Sequence, residues 1–270
     1  MKRKMRIKSF SCVLFLCVLL FSCSNGSNGV IMQEYDVYGK CRRYTVDELM
    51  SLECVSFQQS LMLINKQYKI DGESEFDIVE YKDTDVFMNS CMTEKYGELS
   101  KAVSDKFSEK LYVMDAYRSA EDQEQAIIEQ GDKAAGVNES EHQAGLALDV
   151  YVKYYAGAAF LKTEKGKFVN SDCWQYGFII RYPSYGEKIT GISHEVWHIR
   201  YVGEPHAEII MKNKLTLEEY IQGYEIGKTY SYGDHLITRR AEDDILLPDF
   251  QSAVVSKDNT GYYIITMKIQ

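Results

Sequence analysis

Residues 194–203 read His-Glu-Val-Trp-His-Ile-Arg-Tyr-Val-Gly and place two imidazoles, a carboxylate, an indole and a guanidinium in one short segment. A hydrolytic metal centre uses this mixture, because neutral imidazoles hold the ion and a carboxylate moves protons. The β-branched and aromatic residues that follow His198, ended by Gly203, are typical of a strand. We therefore predict a strand that carries part of a metal site.

The same segment contains H-E-x-x-H at residues 194–198, which on a helix would place two zinc ligands one turn apart. This alternative predicts an endopeptidase that binds zinc through His194 and His198. The flanking residues favour a strand instead, and the longer pattern of helical zinc peptidases requires glycine where Tyr201 stands. On a regular strand Glu195 and His198 point to opposite faces, unless a β-bulge intervenes.

A second polar cluster lies in residues 140–150, which read Ser-Glu-His-Gln-Ala-Gly-Leu-Ala-Leu-Asp-Val. Small residues between His142 and Asp149 allow the backbone to come close to a neighbouring segment. His142, Asp149 and His198 would form a three-ligand site for one zinc ion, with the fourth position open for water. Glu195, three residues before His198, would then be the general base.

Both clusters resemble the VanY-type D-alanyl-D-alanine carboxypeptidases, whose relatives include the VanX dipeptidases and the LdcB-type L,D-carboxypeptidases. The shared patterns are S-x-H-x-x-G-x-A-x-D from Ser140 and E-x-W-H-x-R-Y-V-G from Glu195. Two further matches are Y-R-S-x-x-x-Q at 117–123 and Y-G-F-x-x-R-Y at 176–182. One departure is Val196, where many members have proline.

The resemblance, which extends over roughly residues 55 to 222, implies a zinc carboxypeptidase that removes the C-terminal D-alanine from peptidoglycan stem peptides or precursors. Glu195 would take a proton from water and later protonate the leaving amine, while zinc and Arg118 stabilise the oxyanion. Tyr201 would either contact the substrate or only pack. The predicted substrate-binding residues are Ser140, Gln123, Trp197 and Tyr201.

Two alternatives to this activity stay open beside the H-E-x-x-H endopeptidase. An L,D-carboxypeptidase that acts on tetrapeptide stems would use the same scaffold and the same motifs. A wall-binding lipoprotein without catalytic activity is the third possibility, although the ligand residues and the base are all present. An assay of D-alanine release from pentapeptides and tetrapeptides distinguishes these hypotheses.

Residues 1–22 are predicted to be a signal peptide, because basic residues precede an apolar run that is too short for an ordinary membrane-spanning helix. Leu20-Phe21-Ser22-Cys23 resembles a bacterial lipobox, and residues 23–40 begin with a polar run suited to a flexible tether. We expect lipidation at Cys23 and an extracytoplasmic protein anchored to the bacterial cell membrane. An ordinary secretory signal or an uncleaved anchor is the alternative.

The composition is that of a folded soluble domain, since 45% of the 270 residues are hydrophobic and 26% are charged. The formal net charge of −9 argues against nucleic acid and against direct binding to an anionic membrane surface. The sequence does not indicate an oligomeric state. Four cysteines beyond the N-terminal segment allow three disulfide pairings, and the sequence does not choose between them: Cys41, Cys54, Cys91 and Cys173.

The predicted fold class is α+β, with a small central antiparallel sheet, helices packed on it and the zinc site in a cleft over the sheet. Residues 41–222 would form the zinc carboxypeptidase domain, and residues 223–270 a C-terminal extension with a β-hairpin. The pattern in residues 45–70 predicts helix. Residues 94–108 predict an amphipathic helix whose stripe packs on the core, and Ser119 is a predicted N-cap.

Overall fold

A computed structural model describes residues 30–37, 41–72, 74–131 and 134–269. The signal peptide and Cys23 lie outside these residues, so export and lipidation stay predictions. Within the described part of the chain, no helix combines the length and the hydropathy needed to cross a bilayer. Part of the predicted tether is ordered on the protein body, because Gln33–Glu34 pairs with a later strand and Met32 is buried.

The described residues form seven α-helices and fourteen strands, joined by loops and short 3-10 turns. The helices are α1 (Val46–Met50), α2 (Thr93–Phe107), α3 (Ala120–Gln130), α4 (Glu164–Asp172), α5 (Glu187–Thr190), α6 (His206–Asn213) and α7 (Leu217–Gln222). The strands are β1 (Gln33–Glu34), β2 (Cys41–Tyr44), β3 (Val55–Gln58), β4 (Ile78–Glu80), β5 (Phe87–Asn89), β6 (Tyr112–Asp115), β7 (Ala147–Tyr151), β8 (Phe178–Tyr182), β9 (Glu195–Tyr201), β10 (Thr229–Tyr232), β11 (His235–Arg240), β12 (Ile245–Pro248), β13 (Ser252–Lys257) and β14 (Tyr263–Lys268).

A four-stranded antiparallel sheet in the order β6-β7-β9-β8 carries both polar clusters. The strand predicted at residues 194–203 is β9, and the aspartate cluster ends in β7. Helices pack on this sheet, so the α+β class with a small antiparallel sheet is confirmed. The two segments that the sequence pairs chemically are neighbours in the sheet, because β7 and β9 share hydrogen bonds.

Helix α2 buries an apolar stripe against this sheet, as the spacing of its residues predicts. Leu99 and Val103 are fully buried in one cluster with Leu148 and Val150 of β7, while Phe107 packs at its edge. Helix α3 begins at a capping box in which the Ser119 hydroxyl accepts a hydrogen bond from the Asp122 amide at 3.1 Å. The cap fixes where the chain turns from β6 into α3.

The helical prediction for residues 45–70 is wrong beyond the first turn, because only Val46–Met50 forms a helix. The apolar residues Leu61 and Leu63 are buried, but they lie in an irregular segment. Side chains from distant elements satisfy its backbone: Arg200 donates to the Ser60 and Met62 carbonyls at 2.9 and 3.0 Å. Tertiary hydrogen bonds thus replace the local helical ones.

A second, six-stranded sheet in the order β1-β10-β11-β14-β13-β3 combines strands from both ends of the described chain. All its pairs are antiparallel except that of β13 with β3. Helices α6 and α7 join the sheets, since Ile210 and Tyr220 share one apolar cluster with Ile179 of β8 and Ile264 of β14. The described structure contains four free thiols: Cys41, Cys54, Cys91 and Cys173.

His206, at the start of α6, lies in this second core between two hydroxyl groups. Its Nδ1 is 2.6 Å from the Tyr220 hydroxyl, and its Nε2 is 2.9 Å from Oγ1 of Thr266 on β14. Burial, together with the nearby charge of His235, lowers the pKa of His206 to about 3. The imidazole is therefore neutral in the folded protein and connects α6 to the six-stranded sheet.

We expect acid to weaken the fold through His206. In the unfolded chain His206 binds a proton below about pH 6.5, and in the folded chain only below about pH 3. The free energy of unfolding therefore has its full value above about pH 6.5 and decreases as the pH falls below it. The loss at pH 5 is roughly 2 kcal/mol from this group alone. Urea unfolding of the metal-free protein at pH 7.5 and pH 5 should show a smaller pH effect for His206→Gln. Equal pH effects in both proteins would exclude His206 as the source.

Candidate active site

A cavity of about 390 Å³ opens over the four-stranded sheet, at the level where β7 and β9 pair. This volume is in the range of small-molecule sites. Seven of the residues singled out in the sequence line the cavity wall: Arg118, Ser140, His142, Asp149, Glu195, Trp197 and His198. The cleft over the sheet thus contains most of the residues that are predicted to bind the metal, catalyse the reaction or bind the substrate.

His142, Asp149 and His198 converge on one point of this cavity. One ligand atom from each residue lies within 4.8 Å of the other two. Nδ1 of His198 is 3.0 Å from Oδ1 of Asp149, and Nε2 of His142 is 3.6 Å from the same oxygen. Asp149 and His198 are direct partners across β7 and β9, whereas His142 comes from the 3-10 turn Glu141–Ala144 just before β7.

Gly145 shapes the link between this turn and β7. Its φ is +63°, and an added Cβ would lie 2.8 Å from the backbone nitrogen of Asn89. Only glycine fits this close approach without a shift of the neighbouring strand. The tight reversal brings His142 back over the sheet beside Asp149.

An irregularity in β9 brings Glu195 to the same side as His198. Ile180 of β8 pairs with Ile199 of β9, and the next pair is Tyr182 with Glu195. Between these two pairs β9 therefore contains more residues than β8. Such a bulge re-aims side chains that a regular strand would send to opposite faces. As a result, Oε2 of Glu195 lies 3.8 Å from Nδ1 of His198.

Each histidine directs its outer nitrogen toward an oxygen atom. Nδ1 of His142 is 2.7 Å from the Ala116 carbonyl oxygen, which leaves Nε2 directed at the cluster. Nε2 of His198 faces Oε2 of Glu141 at 3.7 Å, which leaves Nδ1 directed at the cluster. Ring nitrogens of metal-binding histidines are held in this way by carbonyl or carboxylate groups.

Burial and charge shift the proton affinities of the cluster. Burial acts to lower the pKa of His198, but the nearby carboxylates of Asp149 and Glu141 outweigh it and raise the pKa to about 9. Burial also raises the pKa of Glu195, against the opposing effect of His198. Burial acts to raise the pKa of Asp149, but His142 and His198 hold it well below its usual range.

The donor set fits a metal ion. Oδ1 of Asp149 is buried and makes no hydrogen bond to the described residues, although buried oxygens are nearly always paired. It lies between two imidazoles whose free nitrogens point toward it. Two nitrogens and one oxygen in this arrangement, with open cavity beside them, correspond to the three protein ligands of a catalytic zinc site.

Arg118 reaches the cavity from the turn between β6 and α3. Its Nε donates to Oδ2 of Asp115 at 2.8 Å, its Nη2 pairs with the same oxygen, and its Nη1 donates to Oε1 of Gln123 at 3.1 Å. A guanidinium has five N–H donors. The described residues therefore leave two donors of a firmly held cation available at the cavity.

Two predicted substrate-binding residues do not line the cavity. Gln123 is fully buried behind Arg118, and its amide also donates to the Ala135 carbonyl at 2.8 Å, so its hydrogen-bonding groups are already used. Tyr201 lies at the far end of β9 and packs against Phe178, with ring centroids 5.3 Å apart. Its place in the core supports only the packing alternative.

His194, the first histidine of the H-E-x-x-H pattern, is exposed and lies outside the cluster. The segment that follows it is a strand, so the pattern does not place the two imidazoles on one helical face. The helical endopeptidase alternative therefore has no geometry to support it in this structure.

Three side chains near the site have no role predicted from the sequence. Tyr182 packs over the His198 ring, with centroids 4.9 Å apart, and lines the cavity. Glu141 and Arg181 form a buried ion pair behind the same histidine, with a distance of 2.7 Å. All three lie within the matched sequence motifs. Their place in these motifs is the one feature of the sequence that could have identified them.

Comparison with known proteins agrees with the fold and identifies the family. Residues 85–204 match the family model VanY, described as D-alanyl-D-alanine carboxypeptidase. A D-alanyl-D-alanine carboxypeptidase of Enterococcus faecium is 35% identical over 192 residues, which are 65% of this chain and 61% of that protein. The chain thus spans less than two thirds of that relative's length.

Two further relatives extend the comparison. The bifunctional D-Ala-D-Ala dipeptidase and carboxypeptidase VanXYC of Enterococcus gallinarum is 33% identical over 178 residues, 60% of this chain and 93% of that protein. A solved variant of the vancomycin-resistance D,D-pentapeptidase VanY, in complex with Zn(II), superposes with a TM-score of 0.54 at 27% identity, covering 60% of this chain and 98% of that one. This chain belongs to the VanY family of D-alanyl-D-alanine carboxypeptidases.

Proposed function

We propose that this protein is a zinc-dependent carboxypeptidase that removes the terminal D-alanine from peptidoglycan stem peptides ending in D-alanyl-D-alanine. The observation that carries the proposal is the convergence of His142, Asp149 and His198 in one cavity, with Glu195 beside them. The Zn(II) complex of the related VanY variant supports the choice of metal. The names of the relatives support the substrate class.

Zinc would be held by Nε2 of His142, Oδ1 of Asp149 and Nδ1 of His198. When bound, zinc supplies Lewis-acid chemistry that lowers the pKa of a water molecule and polarises a peptide carbonyl. The chain supplies the proton transfers. Glu195 takes a proton from the attacking water at a carboxylate oxygen and then passes it to the departing amine of D-alanine.

The surroundings of Glu195 suit this double task. Partial burial raises the pKa of its carboxyl group, which moves the group toward the range where it both accepts and returns a proton. Trp197 lines the same cavity. Arg118 presents its cation to the developing oxyanion or to the carboxylate of the substrate, while Asp115 and Gln123 prevent it from swinging away.

We expect D-alanine release to depend on zinc and on the buried histidine. Chelation and dialysis should abolish release from a muropeptide pentapeptide, and added zinc should restore it. His142→Ala should lose bound zinc, whereas the matched change His194→Ala should keep it, because His194 is exposed and outside the cluster. Metal analysis and an assay of free D-alanine measure both effects.

Activity that survives complete metal removal would contradict the zinc mechanism. A tetrapeptide serves as the second substrate in the same assay. Faster release from the tetrapeptide than from the pentapeptide would assign the L,D-carboxypeptidase activity instead.

Glu195→Gln should retain zinc and lower kcat by roughly 10²- to 10⁴-fold, because the amide accepts no proton from water. Glu187→Gln is the matched control, since Glu187 is exposed in α5 and does not line the cavity. Zinc content and the rate of D-alanine release are compared in the two variants. Unchanged turnover in Glu195→Gln would remove this residue from the mechanism.

Arg118→Lys should lower kcat/KM by about 10²-fold and leave zinc content unchanged, because one ammonium group does not reproduce the paired donors of the guanidinium. Arg42→Ala is a control, as Arg42 is exposed on β2. Steady-state kinetics of the pentapeptide reaction provide the measurement. An Arg118→Lys variant as active as the wild type would show that this cation does not act on the transition state.

A further inference from the structure

Glu141 precedes the predicted ligand His142 in sequence, yet its side chain lies behind the other histidine. Its carboxylate is completely buried. Oε1 accepts a hydrogen bond from Nε of Arg181 at 2.7 Å, and Nη1 of Arg200 lies 3.6 Å from the same oxygen. Oε2 points to Nε2 of His198 at 3.7 Å. The proposed reaction gives this carboxylate no role.

Four buried side-chain nitrogen and oxygen atoms of the described residues have no hydrogen-bond partner, and all four lie at this site. One is Oδ1 of Asp149, which faces the predicted metal position. The other three surround Glu141: its own Oε2, Nε2 of His198 and Nη1 of Arg200. Because an unpaired buried polar atom destabilises the folded state, their clustering at one carboxylate calls for a functional explanation.

The tautomer of His198 provides that explanation. Its Nδ1 points to Asp149 at 3.0 Å and is the nitrogen available to a metal ion. A metal-bound imidazole is neutral, so its one proton must then sit on Nε2. The atom that faces Nε2 is Oε2 of Glu141, and a small closure of their 3.7 Å separation forms the hydrogen bond.

We propose that Glu141 is a positioning residue for His198, whose Nε2–H donates to the Glu141 carboxylate so that Nδ1 is left bare for the metal. The inference rests on the metal centre of the proposed function. His142 has the equivalent arrangement through the Ala116 carbonyl, 2.7 Å from its Nδ1. One ligand ring is thus held by the backbone and the other by a buried carboxylate.

Arg181 holds the carboxylate group that lies behind His198. Its Nη1 and Nη2 bind both oxygens of Glu218 at 2.9 and 2.6 Å, and this fork directs Nε at Oε1 of Glu141. The buried charges alternate in sign from Glu218 through Arg181 to Glu141. A carboxylate offers acceptors on both sides, so Glu141 accepts from Arg181 and from His198 together.

A glutamine at position 141 has a different hydrogen-bonding pattern. Its amide oxygen would face the donating Nε of Arg181, which turns its NH₂ group toward Nε2 of His198. That arrangement favours the imidazole tautomer with the proton on Nδ1, which does not bind a metal ion. Glu141→Gln therefore keeps the shape of the side chain and reverses the preference of His198.

The test compares Glu141→Gln with the matched variant Glu218→Gln. Each change removes one negative charge from a partner of Arg181, but only Glu141 faces a predicted ligand. Zinc dissociation constants are measured by competition with a chromogenic chelator. Loss of the partner of a ligating histidine typically costs 10–100-fold in metal affinity, so we expect this weakening for Glu141→Gln and less than threefold for Glu218→Gln.

The second measurement is the ¹⁵N–¹H spectrum of the imidazoles in the zinc-loaded wild-type protein. We expect a proton on Nε2 of His198, shifted downfield by the carboxylate, and the same signal in Glu218→Gln. A ligating Nε2 in the wild type would overturn the proposal. This measurement decides the question even where Glu141→Gln does not fold.

The remaining outcomes separate the inference from the function on which it rests. Equal zinc affinity in Glu141→Gln and wild type would overturn the positioning role, and so would an equal loss in both variants, since that loss would come from the buried ion pairs. A wild-type protein that binds no zinc, or that binds it as well as His198→Ala, would remove the metal centre itself and the inference with it.

Discussion

The active site depends on the register between β7 and β9, which sets Asp149 directly opposite His198. A shift of one residue would send one of the two side chains to the other face of the sheet and separate the ligands. Apolar packing beneath the sheet holds this register, because Leu148 and Ile199 are fully buried in the main apolar cluster. Core packing on one face thus determines the positions of the predicted metal ligands on the other.

Two departures from regular structure complete the site. The turn that ends at Gly145 returns His142 over the sheet, and the bulge in β9 brings Glu195 to the face of His198. Neither residue would reach the cavity from an ideal strand. Local irregularities therefore orient the predicted catalytic and ligand side chains, while the regular strand pairs supply a fixed frame.

A layer of buried charge lies behind the ligands and connects them to the rest of the fold. Arg200 contacts the segment that carries Ser60 and Met62, and Arg181 reaches Glu218 on α7. Burying these ions costs free energy unless each is paired, so the network is sensitive to the loss of any member. Helices α6 and α7 also pack against the six-stranded sheet. The C-terminal strands thus stabilise the helix that anchors Arg181.

The sequence by itself determined which residues are candidates for a hydrolytic metal site, because the residue types and the spacing at 140–150 and 194–203 match one kind of site. It also determined the α2 stripe and the Ser119 cap, which depend on local spacing. It did not determine that Gln123 supports Arg118 instead of lining the cavity, that residues 51–70 contain a short strand and an irregular segment instead of a helix, or that Glu141 faces His198. Those features depend on contacts between residues far apart in the chain, and only the tertiary structure decides which of several possible partners a buried polar group meets.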